Sequence, residues 1–343
     1  MSAISKKSVW FARNQDVIRM LVVTLAIFIL MSALRPNLFL REANFISMGY
    51  QIPELGFYSL AMMMAMLAGG IDLSIVSIGN LACIISAFIM QRAVAGQYAG
   101  ARLAVTLAAG VLAALATGFI CGLLNGLLIS YLKIPPMLTT MATSSIYTGI
   151  GIVLTEGKSV SGVPDAFQYL GNHAFLQIPY ALWLLIAAMA GTAFLLNKTT
   201  FGFQLKMIGS NPLASFYTGM QNKKVITKAS IYSGLMSALC GLEILARTNT
   251  AKSDYAATYV FQSILCAVLG ATNPNGGFAK VSCLALALAS LQLLSSGFNL
   301  LRLGGYFKDF TWGALLLFVL SIDYLAKAIK RKKQKSMIMK IEN

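Results

Sequence analysis

The chain has 343 residues, of which 57% are hydrophobic and only 11% charged, and its mean hydropathy is +0.73. Soluble domains carry roughly 25% charged residues, so this composition excludes a protein whose whole surface faces water. The net charge of +16 does not point to nucleic acid, because the basic residues avoid the apolar runs and gather in three places.

Lys6, Lys7 and Arg13 precede the first apolar run and Arg19 lies at its start. Lys198, Lys206, Lys223, Lys224 and Lys228 surround a central polar loop that has no acidic residue. Lys327, Lys330, Arg331, Lys332, Lys333, Lys335 and Lys340 form a basic tail. Positive charge favours the cytoplasmic side of a membrane protein. The pattern therefore predicts a cytoplasmic segment over 1–16, a cytoplasmic loop over about 197–228 and a cytoplasmic tail over 327–343, all flanking a membrane domain at 17–326.

The first apolar run, 17–34, is longer than a signal-peptide core, and Arg35-Pro36-Asn37 is a poor cleavage site. It reads as a retained span. With ~20 apolar residues needed to cross a hydrocarbon core of ~30 Å, further spans fall at 45–67, 73–91, 103–131, 137–155, 181–196, 229–247, 258–271, 281–300 and 310–326. The expectation is an all-α polytopic membrane protein of about ten spans, both termini inside. Six spans return the chain to the inside at Asn197, where the basic loop begins; Arg92 and Arg102 fall outside against the charge rule. The five cysteines, Cys83, Cys121, Cys240, Cys266 and Cys283, lie in apolar runs and read as packing residues.

Several segments depart from a plain lipid-facing helix. Gly118, Gly122 and Gly126 recur every four residues, the spacing of close helix packing. Pro135-Pro136 breaks the chain, and the following span carries Thr139, Thr140, Thr143, Ser144, Ser145 and Thr148, which predicts that it faces the bundle interior. The loop from Glu156 to Tyr180, with Asp165 and the only histidine, His173, is expected outside.

Two features carry chemistry. In Gly69-Gly70-Ile71-Asp72-Leu73-Ser74 the paired glycines permit a break or a tight backbone approach. Asp72 would cost roughly 2.5–3.5 kcal/mol at mid-membrane, a cost that the free N–H groups of a helix N-terminus offset in part. A capped break inside the membrane and an ordinary inter-span turn fit these residues equally. The second feature is the central loop. Asn211-Pro212 reads as an N-cap with proline at the first helical position, Gly219 as a C-terminal stop, and Leu213, Phe216, Tyr217 and Met220 as one apolar face. Such a helix lies on the membrane surface or fills a groove on a soluble partner, and the residues alone favour neither.

No catalytic constellation is visible. One histidine supports neither a proton relay nor a metal cluster, so neither a cofactor nor a metal is expected. Gly157-Lys158-Ser159 resembles the end of a phosphate-binding loop, but the preceding glycine, Gly151, stands one residue too far away. Active transport would therefore need a separate ATPase.

These features resemble the ribose/xylose/galactose-type permeases of bacterial ABC sugar importers, over roughly residues 40–326. Gly69 through Ser74 is similar to that family's most recognisable motif. Leu124-Asn125-Gly126-Leu127-Leu128-Ile129, with Ile134-Pro135-Pro136 and Thr139-Thr140-Met141, resembles its "LNG…PPF-x-x-TL" region. Thr200-Phe201-Gly202, Ile208-Gly209-Ser210-Asn211-Pro212 and Ala214 through Gly219 resemble its coupling loop; Ser233-Gly234-Leu235, Gly241 and Asp323 continue the likeness. The family's acidic "ELDAIAA-x-x-x-GG" stretch is replaced here by Val260 through Ala271, without the acidic pair.

The resemblance implies a non-catalytic permease subunit in a bacterial cytoplasmic (inner) membrane. It implies a partner ABC ATPase that docks on the coupling helix, an extracytoplasmic solute-binding protein, and a second permease copy or a paralogue. Asn80, Asn125, Thr139, Ser144, Gln262 and Asn299 are the candidates for a translocation path. An ion-coupled secondary transporter is the alternative, and it would rely on Asp72, Glu54 and Glu243.

Overall fold

The structure is a computed structural model that describes residues 6–321; the expected basic tail over 327–343 and Asp323 lie outside the described residues. In chain order, α1 is Lys6–Leu34, α2 Pro36–Phe39, α3 Glu42–Leu67, α4 Ile75–Ala95, α5 Gly100–Ser130 and α6 Pro136–Thr155. The segment after α6 holds β1 (Val160–Ser161), α7 (Asp165–Asn172), β2 (Ala174–Phe175) and β3 (Ile178–Pro179). There follow α8 (Tyr180–Lys198), α9 (Thr200–Ser210), α10 (Pro212–Tyr217), α11 (Asn222–Thr248), β4 (Thr250–Ala251), α12 (Tyr259–Leu269) and α13 (Val281–Leu300). A last helix, α14, runs over 305–321.

Seven helices among the described residues are long and apolar enough to cross a membrane: α1 from Asn14, α4, α5, α6, α8, α11 and α13. The other three expected spans are helical but fall outside that measure. Asn44, Tyr50, Gln51 and Glu54 lower the hydropathy of α3, α12 has only 11 residues, and α14 is described for 17. Within the stretch expected as a central loop, α11 begins at Asn222, with Val225 and Thr227 buried.

α3 is the axis of the bundle. Every residue from Pro53 to Met64 is buried, including Phe57, Tyr58 and Met62 through Met64 at 0% exposure. α11, α12, α13 and α8 pack around it, and a helix enclosed on all sides needs no polar face. α5 and α11 form the most extensive helix pair. A Cβ on Gly122 would lie 2.9 Å from the Ile231 Cα, and one on Gly126 2.8 Å from the Thr227 Cα. The glycine spacing thus lets two backbones touch, as dispersion packing of membrane helices requires.

The connecting segments gather at the two ends of the bundle. At one end β1 pairs antiparallel with β4, Val160 opposite Ala251. There the Asn249 Oδ1 accepts from the Gly162 and Val163 amides at 3.1 and 2.8 Å, and Tyr50 donates to the Asn172 carbonyl at 3.1 Å. At the other end the Gly277 amide donates to the Leu67 carbonyl at 3.2 Å. The five cysteines are buried free thiols. Gly157-Lys158-Ser159 sits in an exposed turn where Lys158 pairs with Glu156 at 3.2 Å.

Candidate functional site

Asp72 lies in the non-helical stretch between α3 and α4 and is 5% exposed. Two glycines bring it there. Gly69 adopts φ +93°, a left-handed conformation that costs glycine little. Gly70 lies against Pro136, which a Cβ would approach to 2.6 Å. The carboxylate is held by three donors. Oδ1 accepts from the Ser74 amide at 3.0 Å and the Ser74 hydroxyl at 2.6 Å, and Oδ2 accepts from the Ser233 hydroxyl at 2.9 Å. The Ser74 amide opens α4, so Asp72 satisfies one of the N–H groups a helix start leaves free.

The network extends outward. Asn125 Nδ2 donates to the Ser74 Oγ at 2.8 Å, and Tyr147 donates to the Asn125 Oδ1 at 3.1 Å. Thr140 accepts from the Leu73 amide at 3.1 Å. Four elements, the α3–α4 connection, α5, α6 and α11, therefore meet at one carboxylate. A cavity of about 110 Å³, with Ala65, Gly70, Pro136 and Ile226 among its walls, lies beside Asp72.

The six path candidates separate into two places. Asn80, Asn125, Thr139 and Ser144 lie among α4, α5 and α6, with their hydrogen bonds already used. Asn80 donates to the Ser253 and Tyr255 carbonyls at 3.1 and 2.9 Å, Thr139 to the Pro135 carbonyl at 3.2 Å, and Ser144 shares a 2.5 Å bond with Ser77. Of the polar residues on α6, Thr139, Thr140 and Thr143 face inward with Tyr147, Gly151 and Thr155. Ser145 departs from the expectation: it is exposed and bonds its own helix at the Met141 carbonyl, 3.3 Å away, because it falls off that inward stripe. Gln262 and Asn299 line a separate polar cavity of about 280 Å³ among α3, α12, α13 and α14.

One cluster was not legible beforehand. Glu54 on α3 is buried and pairs with Arg247 on α11, while the Tyr259 hydroxyl donates to its other oxygen at 3.0 Å. Glu243 stands 3.8 Å from the Arg247 Nε without a hydrogen bond to it. Glu54 and Glu243 were visible only as isolated carboxylates; their shared guanidinium is 193 residues from Glu54.

The central loop folds into α9 and α10. Asn211 Oδ1 accepts from the Leu213 and Ala214 amides at 3.1 and 3.0 Å, and Pro212 begins the helix. Gly219 takes φ +80°, which lets the Met220 amide turn back to the Ser215 carbonyl at 3.2 Å. α10 stops at Tyr217, so Met220 lies past its end. Leu213, Phe216 and Tyr217 are 71%, 66% and 84% exposed. Lys206 on α9 donates to the Leu196 carbonyl at 2.9 Å and to Asn197 at 3.1 Å, and partial burial pushes its ammonium pKa down. Gly209, near the end of α9, packs directly on the Leu67 carbonyl and the Gly276-Gly277 backbone.

Apolar helices around a buried axis, with Asp72 and Glu54 held by internal donors and a helical pair displaying apolar side chains at one end, are the architecture of a multi-pass membrane protein. The profile described as "Branched-chain amino acid transport system / permease component" matches residues 44–320, and the chain belongs to this family. It is 30% identical over 330 residues to the L-arabinose transport system permease protein AraH of Escherichia coli (strain K12), covering 96% of this chain and 97% of that one. It is 30% identical over 299 residues to the ribose import permease protein RbsC of Bacillus subtilis (strain 168), covering 86% and 88%. It is 29% identical over 312 residues to the autoinducer 2 import system permease protein LsrC of Photorhabdus luminescens, covering 91% and 90%. No solved structure matches. The chain is a non-catalytic transport subunit, as the sugar-permease resemblance implies.

Proposed function

We propose that this chain is the membrane-spanning permease subunit of an ATP-driven importer for a small neutral sugar. It crosses the cytoplasmic membrane ten times with both termini inside. α9 and α10 form the cytoplasmic coupling element that receives a partner ATPase. The stretch from Gly69 to Ser74 is the break between two membrane helices. An extracytoplasmic binding protein delivers solute, and a second permease copy or paralogue completes the pore.

The observation that carries this reading is α10. A six-residue helix displays Leu213, Phe216 and Tyr217 to the outside, and it extends from α9, whose Gly209 rests on the end of α3. An apolar face on a short, capped, projecting helix suits a groove on a soluble partner. Three sequence relatives are named for L-arabinose, ribose and autoinducer 2, which favours a cargo of pentose size. The buried carboxylates Asp72 and Glu54 are held by internal donors, which favours structural roles over ion coupling.

The test is copurification and reconstitution. The permease expressed with its neighbouring ATPase should purify as a complex, and proteoliposomes should take up sugar only with ATP inside the compartment that the ATPase faces. Uptake that follows an ion gradient without ATP would sink the reading and install the ion-coupled alternative.

A further inference from the structure

Gln262 sits on the first turns of α12, Gln51 on the first half of α3, Gln292 and Asn299 on α13, and Trp312 on α14. With Tyr259 they line the cavity of about 280 Å³, near the lower end of the volumes that hold small molecules, about 300 Å³. The cavity lies near the loop that precedes α14, at the end of the bundle away from α9 and α10. A polar cavity of about 460 Å³ also lies among Gln97, Asp165, Gln168 and Asn249, but two others that flank the bundle are apolar. The cavity on α5 and α6 is lined by leucine, isoleucine and tyrosine, and the one at Asp72 is lined chiefly by alanine, isoleucine and proline.

We propose that this cavity is a binding site for a neutral monosaccharide; the proposal rests on the reading of the chain as a sugar permease. Four carboxamides supply donors and acceptors in equal measure, which suits sugar hydroxyls, each both donor and acceptor. Trp312, 3% exposed, offers an apolar ring to the C–H face of a pyranose or furanose. Lys308, which donates to the Asn299 Oδ1, and Asp309 also line the cavity, so their charges cancel and the site carries no net charge to select an ion. Part of the constellation is already fixed: Gln292 Nε2 donates to Gln51 Oε1 at 3.1 Å, and Gln51 Nε2 donates to Ser47 at 3.1 Å. The Gln262 carboxamide makes no hydrogen bond to another side chain or backbone group among the described residues. Its donor and acceptor are open to a ligand.

Tyr259 adds a link. Its ring lines the cavity while its hydroxyl donates to Glu54 at 3.0 Å. The cavity wall is thereby joined to the buried Glu54–Arg247 pair that fastens α3 to α11.

The permease in lipid nanodiscs is titrated with D-ribose, L-arabinose and D-glucose, with D-gluconate and D-glucosamine as charged probes, and tryptophan emission is followed. At least one neutral sugar should give a saturable change that disappears in Trp312→Phe. Its midpoint should rise by about tenfold or more in Gln262→Leu and, independently, in Asn299→Leu, as expected when a hydrogen-bonding partner of the bound sugar is lost. Asn299 is exposed, so its variant keeps the test open should Gln262→Leu fail to fold. No saturable response to any of the neutral sugars overturns the site, as do unchanged midpoints in both variants or tighter binding of either charged probe. Trp312-dependent sugar binding in a protein that shows no ATP-driven uptake would remove the importer reading and leave the site standing. ATP-driven uptake with no such binding would do the reverse.

Discussion

The Ser233 hydroxyl donates to the Asp72 Oδ2 at 2.9 Å across 161 residues of chain. This bond ties the start of α4 to the middle of α11, and the Ser74 amide and hydroxyl complete the carboxylate's donors. Asp72→Ala would leave these donors facing a low-dielectric interior, at about 1–3 kcal/mol for each left unpaired. The thermal midpoint of the purified protein should fall and uptake should fall with it. Asp72→Asn keeps acceptor capacity for Ser74 and should lose less. Wild-type stability and uptake in Asp72→Ala would show a solvated turn residue instead.

Phe216→Ala combined with Tyr217→Ala should release the ATPase during purification. Buried aromatic anchors contribute about 2 kcal/mol or more each at interfaces, and these two side chains are 66% and 84% exposed in the isolated chain. Folding of the bundle should be untouched, since neither side chain is part of its core. Copurification at wild-type stoichiometry would return α10 to the membrane surface.

Reporter fusions at Gly162 and Gln221 should give opposite signals, external and internal. Gly162 lies in the segment that pairs with β4, and Gln221 lies between α10 and α11. The same signal at both sites contradicts the proposed topology.

Arg247→Ala removes the one cation from two buried carboxylates, Glu54 and Glu243. Breaking such a pair by deleting one partner costs about 3–5 kcal/mol. The variant should aggregate in detergent at a temperature the parent withstands, and adding Glu54→Gln should recover part of the loss. A variant as heat-stable as the parent would mean that the carboxylates find their own solvation.

What the sequence disclosed was mostly local. The Asn211 cap, the Pro212 start and the Gly219 turn are read from neighbours in the chain, and each is found in the structure. The Gly69-Gly70-Ile71-Asp72 interruption was legible for the same reason, whereas Ser233 and Asn125, which bond Asp72 and Ser74, come from distant stretches of the chain. The Glu54–Arg247–Tyr259 cluster joins residues 193 and 205 positions apart, and no periodicity encodes such a meeting. Polarity alone grouped Asn80 and Asn125 with Gln262 and Asn299. It could not reveal that the first two are committed to partners among the helices, while Gln262 faces a cavity unbonded and Asn299 faces it bonded to Lys308. α12 was expected over 258–271 and spans Tyr259–Leu269, with Gly270 at its C-cap, a stop that glycine commonly marks.

Gly209 has no side chain, and it touches the Leu67 carbonyl and the Gly276-Gly277 backbone directly. Contacts between side chains absorb small displacements by changing rotamer, as a spring takes up slack. Backbone pressed on backbone has no such compliance. A displacement of α9 would therefore bear on two places at once, the end of α3 just before Asp72 and the turn that leads into α13. Under the proposed coupling role the projecting pair would serve as the handle of a lever with glycine as its bearing surface, and a residue as small as alanine at 209 would push α9 away from both backbones.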